Sequence, residues 1–251
     1  YIGNIDLFTG SILGMVGTRK PSILAKQRIN QLISHVNQFS IVSGGALGVD
    51  ALVHESALDH QLNTIVVLAS GLNAMYPKTN LPLFKRLMDS NAALFISECP
   101  PSVVPRPYFF PQRNRIIAAL SSKLMIIEAL NKSGAVVTAN IAAQLGVDVA
   151  ALINGYNSIH SLGCYQLIND GAYIIGNNQQ WVSFLNEDSN YQLSHCIKTE
   201  VDIRKKRQKA IYDQKERQKH FFEILAIGFL GTVLISFILF IAYLVGQSPN
   251  F

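Results

Sequence analysis

At 251 residues the chain is long enough to bury the core of one domain of roughly 200 residues and carry an appendage. Its three cysteines, Cys99, Cys164 and Cys196, are odd in number and lack C-x-x-C spacing, which points away from a disulfide framework or a zinc site and fits a reducing compartment. The net charge of +5 is carried by Lys198–His220, with nine Lys/Arg against four Asp/Glu, whereas residues 1–197 hold twelve against eleven and exert little overall pull on a polyanion.

Taken in order, Ser11–Gly17 reads as a buried strand, followed by a tight turn through Thr18, Arg19, Lys20 and Pro21. Ser22 is the expected N-cap of a helix running to about Gln38. Phe39–Ser43 is a second strand, and Ser43–Asp50, SGGALGVD, a glycine-rich turn into a helix. Thr64–Ser70, Ala92–Glu98, Leu124–Ala129 and Val147–Ile153 are four further strands, with a helix at about Ala135–Leu145 after the turn Asn131–Gly134. Short apolar strands alternating with helices predict an α/β fold with a parallel sheet covered on both faces. Right-handed crossovers then gather the loops after the strands at one edge, where ligands bind.

Three of those loops, Gly17–Ser22, Ser43–Asp50 and Asn131–Gly134, pair glycine with a helix start, an arrangement suited to phosphate. None has G-x-G-x-x-G spacing or a Walker lysine, and such turns also serve structure alone. Phe109–Ser122, FFPQRNRIIAALSS, reads as a helix with Pro111 in its first position and Arg113 and Arg115 in its first turn. Cations there oppose the helix dipole, which implies either an anionic ligand or carboxylate partners.

Catalytic candidates are sparse. His54 and Glu55 lie in the helix after the glycine turn, and Glu98 and Glu128 each end a strand, where a carboxylate acts as a base or accepts loop N–H groups. The adjacent His195 and Cys196 lack a second pair of metal ligands.

Ile224–Gly246 is a run of 23 residues without a charge, long enough to span a bilayer, and the basic segment before it predicts that the globular part faces the cytoplasm. The expected division is therefore residues 1–197 as the globular domain, 198–220 as a basic juxtamembrane segment, 221–247 as a transmembrane helix and 248–251 as a short tail. The basic segment serves anionic lipid or adds a DNA contact. The chain opens on Tyr1 without a methionine, so it is expected either to be a fragment or to lack an upstream domain.

Six stretches, in order, resemble the DprA/Smf family of bacterial DNA-processing proteins: VGTRKPS (Val16–Ser22), SGGALGVDALVHESAL (Ser43–Leu58), SGLNAMYPKTN (Ser70–Asn80), ISECPPSVVPRPYFFPQRNRIIAALS (Ile96–Ser121), KSGAVVTANIAAQLG (Lys132–Gly146) and LGCYQLINDGA (Leu162–Ala172). The resemblance implies an extended Rossmann-like, doubly wound and mostly parallel sheet, here followed by the single C-terminal transmembrane helix. It implies a homodimer that binds single-stranded DNA, protects it during natural transformation and assists RecA loading, without catalytic turnover, cofactor or metal. Carried over by motif, Arg19, Arg113 and Arg115 meet phosphates and Phe110 stacks on a base. Gly44, Gly45, Ser133 and Gly134 shape the pocket, and Ser22, Asn114 and Arg106 complete the candidate set, Arg106 substituting for a basic residue that some relatives carry at Pro107. The chain departs from the family at Ile153-Asn154-Gly155, often Pro-Gly in relatives, in its tail, and ahead of the sheet, where the helical domain of many relatives is either absent or cut off. Similar sheets occur in lysine decarboxylase-like phosphoribohydrolases, but those carry a catalytic glutamate, and Lys132–Gln144 has no acidic residue. A membrane-bound sensor of a nucleotide ligand is the third reading.

Overall fold

The computed structural model describes residues 1–153 and 161–186. Eight strands form one sheet: β1 (Ile2–Gly3), β2 (Ile12–Gly17), β3 (Ser40–Gly44), β4 (Thr64–Val67), β5 (Ala93–Ile96), β6 (Lys123–Ile127), β7 (Asp148–Leu152) and β8 (Tyr173–Ile175). Their order is β1-β5-β4-β3-β2-β6-β7-β8, parallel except for β1, which pairs antiparallel with β5. The six expected strands are all present; β1 and β8, two and three residues long, are too short to give a periodic signal in the sequence.

Alternate residues of each strand feed opposite faces. Val16, Val42, Ile65, Leu124 and Ile126 pack under α4 (Phe109–Leu120), α5 (Gly134–Gln144) and α6 (Leu162–Asn169). Leu13, Met15, Ile41, Met125 and Ile127 pack under α1 (Ile23–Ile33), α2 (Val49–Asp59) and α7 (Asn178–Asn186). Val66 and Phe95 meet Phe84 and Leu87 of α3 (Leu81–Asp89). With both faces covered, the strands read as unbroken apolar runs, as the parallel sheet requires. From β2 the chain crosses one face to β3, and from β6 it crosses the other to β7, so β2 and β6 mark the switch point of a doubly wound sheet.

Two boundaries differ from expectation. Helix α1 stops at Ile33, five residues before Gln38, because the Ser34 hydroxyl (2.8 Å) and His35 Nδ1 (2.9 Å) both bond to the Gln31 carbonyl. Side-chain competition for that carbonyl turns the chain, and Val36 still drops into the core. Helix α4 begins at Phe109, so Pro111 is its third residue, not its first, and Arg113 and Arg115 lie beyond the first turn. Proline is tolerated there because the first four helix N–H groups have no intrahelical acceptor. The apolar run expected to cross a membrane, with its basic flank, lies outside the described residues; among the described residues no helix is long and apolar enough to do so.

Candidate functional site

The switch point opens into a crevice of about 430 Å³, walled by the loops after β2 and β6, the start of α2 and one flank of α4. Its geometry starts at Gly17: a Cβ there would lie 1.9 Å from the Ile127 carbonyl oxygen, so only glycine lets β2 close on β6 at this point. Thr18 N–H donates to the Glu128 carbonyl (2.8 Å), and Val49 N–H donates to the Thr18 carbonyl (3.0 Å). The buried Glu128 carboxylate accepts from Ser22 N–H (2.9 Å) and from the Ser22 hydroxyl. That hydroxyl also caps α1 by accepting from Ala25 N–H at 3.1 Å. Glu128 is thus a loop fastener. Ser22 is the N-cap its sequence predicts, with its hydroxyl spent inside the protein and outside the crevice lining.

The floor is ionic. Arg113 is 6% exposed, donates from Nη1 to the Val67 carbonyl (2.7 Å) and sets Nη2 4.0 Å from Asp50 Oδ2. Burial raises the Asp50 pKa and lowers that of Arg113, and each opposes the other's shift. A Cβ on Gly44 would lie 1.7 Å from Arg113 Nη1, so Gly44 makes room for the guanidinium and does not itself line the crevice. Behind them His54 is fully buried: Nε2–H donates to the Gly44 carbonyl (3.0 Å), leaving Nδ1 to accept from the Thr64 hydroxyl at 2.7 Å. Desolvation lowers its pKa to about 4, so it is neutral.

The mouth is cationic and aromatic. Arg19 is exposed and stands 5.2 Å over the Phe110 ring; among the described residues no carboxylate forms an ion pair with it. Phe110 makes an edge contact with Tyr76 at 6.3 Å. Lys20 and Asn114 line the same space, and Asn114 Nδ2 donates to the Gly134 carbonyl (3.2 Å). Ser133 caps α5, accepting from Val136 N–H at 3.5 Å, and the N–H groups of Gly134 and Ala135, in the first helical positions, have no intrahelical acceptor. This helix start therefore offers donors to an anion. Helix α4 does not: Phe109 and Phe110 donate to the Arg106 and Pro107 carbonyls, and Pro111 has no N–H.

One crevice thus brings together Arg19, Phe110, Arg113, Asn114, Ser133 and Gly134, with Gly45 in an adjoining hollow of about 50 Å³ beside Tyr76. Besides Gly44, three expected members stand elsewhere. Arg115, on the other flank of α4, is paired with Glu98; Arg106 is exposed and donates to the Tyr108 hydroxyl (3.2 Å); Ser22 is tied to Glu128. The expected convergence of three guanidiniums is therefore corrected to one at the mouth and one in the floor. Both α4 arginines found carboxylate partners, which answers how the helix tolerates them. Sequence reasoning missed Asp50 and Tyr76. Asp50 is legible in retrospect: a carboxylate in the second position of a helix after a glycine turn complements both the helix dipole and an arginine.

A doubly wound sheet whose switch point carries helix-start amides, an aromatic ring and an arginine with no ion-pair partner among the described residues defines a Rossmann-like protein with a crevice suited to an anion. The chain belongs to the family described as DNA recombination-mediator protein A, whose model matches residues 1–186. It is 37% identical over 182 residues to DNA processing protein DprA of Streptococcus pneumoniae, covering 71% of this chain and 63% of that one. It is 38% identical over 192 residues to protein Smf of Synechocystis, covering 74% and 48%. It therefore spans about half to two thirds of the length of these relatives. Among solved structures, the Streptococcus pneumoniae DprA matches with a TM-score of 0.67 at 34% identity over 72% of this chain and 64% of that one. DNA processing protein A of Helicobacter pylori, described with its single-stranded DNA binding mode, matches with a TM-score of 0.66 at 31% identity over 74% and 86%.

Proposed function

We propose that the described domain binds single-stranded DNA in the switch-point crevice, without catalysing a reaction. The observation that carries this reading is Arg19: an exposed guanidinium, unpaired with any described carboxylate, lying on an aromatic ring beside a helix start with unused N–H groups. A phosphate draws Arg19 and Lys20 towards itself and accepts from Gly134 and Ala135. The Phe110 face that Arg19 leaves is free to stack on a base. The floor is nearly neutral, so phosphates gather at the rim and bases face inward. The described single-strand binding of the Helicobacter pylori relative agrees with this reading.

The wider role follows family kinship: protection of incoming strands in DNA uptake and transformation, help in loading RecA, and assembly as a homodimer. The tether through residues 221–247 rests on the charge-free run and its basic flank.

The test is titration of fluorescent oligo-dT over a salt series. Arg19→Ala is expected to weaken binding and reduce the log–log salt slope by about one phosphate contact. Phe110→Ala is expected to cost about 1–3 kcal/mol with the slope unchanged. Tight binding and turnover of a mononucleotide, with no affinity for the oligonucleotide, would overturn the proposal in favour of a nucleotide hydrolase.

A further inference from the structure

Helix α4 has a second cleft on its opposite flank. About 160 Å³ lies between α4 and the segment after β5, below the 300–1,000 Å³ usual for whole-ligand pockets and suited to a single ring system. Its walls include Leu68, Pro100, Val103 and Phe109, with Glu98 and Gln112 as polar groups. Arg113 is the common wall: it lines this cleft as well as the crevice, and its buried Nε–H has no acceptor among the described residues. Phe110 faces the crevice and the preceding residue, Phe109, faces the cleft, so the start of α4 is a divider one residue wide. Arg115 holds Glu98 at the cleft's rim, with both side chains more than half exposed.

We infer that this cleft is a base-reading subsite that takes a guanine ring from the nucleotide next to the strand bound in the crevice. Guanine presents two adjacent N–H donors and a carbonyl acceptor along one edge. The Glu98 carboxylate accepts from both donors, and the Gln112 amide, which lines the same cleft, donates to the carbonyl. Thymine offers a single ring N–H, cytosine a single donor group and adenine no carbonyl, so none satisfies all three. The free donors of Arg115 then meet the phosphate of that nucleotide, giving the second α4 arginine a ligand of its own. The inference rests on the strand-binding reading above.

The experiment compares oligo-dT with the same oligonucleotide carrying one guanine, by fluorescence anisotropy on the full chain. The wild type is expected to prefer the guanine-bearing strand about fivefold or more, in the range of one good base contact. Glu98→Gln and Gln112→Leu, both at exposed positions, are each expected to erode that ratio. The ratio is the readout because Glu98→Gln also removes a negative charge and shifts every affinity. A wild-type ratio near one, or a ratio untouched by Glu98→Gln, would overturn the subsite while leaving the crevice reading intact. Arg19→Ala should weaken both strands equally; if it weakens neither, the strand reading falls and the subsite with it. Free GMP binding as tightly as the guanine-bearing strand would overturn presentation by a neighbouring nucleotide.

Discussion

Gly44 has no side chain because the Arg113 guanidinium occupies the space a Cβ would need, and its carbonyl holds His54 from below. His54 has a stability consequence. Its pKa is near 4 in the folded protein against 6.5 for an ordinary histidine, so the unfolded chain takes up a proton first as pH falls. Its contribution is complete above the unfolded value and drains away between about pH 6.5 and 4, on the order of 3 kcal/mol in all. Asp50, with its pKa raised by burial, acts in the opposite sense, so comparison with His54→Asn isolates the histidine. The wild type is expected to exceed the variant at neutral pH and to lose that advantage towards pH 4, as read by urea midpoints. A gap constant with pH would contradict the assignment. At this scale the sequence identified Arg19 and Phe110, which need only a turn and a helix start to be placed. Two residues apart on a helix, Arg113 and Arg115 must lie on nearly opposite sides of α4, but which of the two meets the crevice depends on how the helix packs on the sheet, and that the sequence does not show.

The loop between β2 and α1 gains its shape from Glu128, an element away in sequence order but adjacent in the sheet. A charged acceptor for a backbone N–H is worth about 1.5–3 kcal/mol, and Ser22 supplies both that N–H and a hydroxyl. Glu128→Gln keeps the size of the side chain and discards the charge. It is expected to lower stability by about 1–3 kcal/mol in thermal or denaturant unfolding, and to weaken oligonucleotide binding by letting Arg19 wander. Unchanged stability and affinity would show the fastening to be redundant. Strand cores were legible because buried parallel strands have few alternatives to an apolar run, whereas helix ends were misread where a side chain outcompeted the backbone, as at Ser34 and His35.

For the whole molecule, alternation of strands and helices was enough to foresee a doubly wound sheet and a ligand edge, since handed crossovers leave few ways to join parallel strands. The short edge strands and the second cleft were not legible, because both arise from segments brought together only by the completed fold. The chain's positive excess lies in 198–220, apart from the nearly balanced globular part. Deleting residues 221–251 is therefore expected to release the protein from membrane fractions with DNA affinity unchanged, as measured by fractionation and the same titration. Collapse of affinity on deletion would contradict the tether as a separate device.

The peptide unit of Thr18 is a crossbeam, receiving α2 at its carbonyl and meeting β6 through its N–H. Three walls are thereby braced before any guest arrives, and little ordering entropy remains to be surrendered on docking. Substitutions along the rim should accordingly shorten the lifetime of the bound complex far more than they slow its formation.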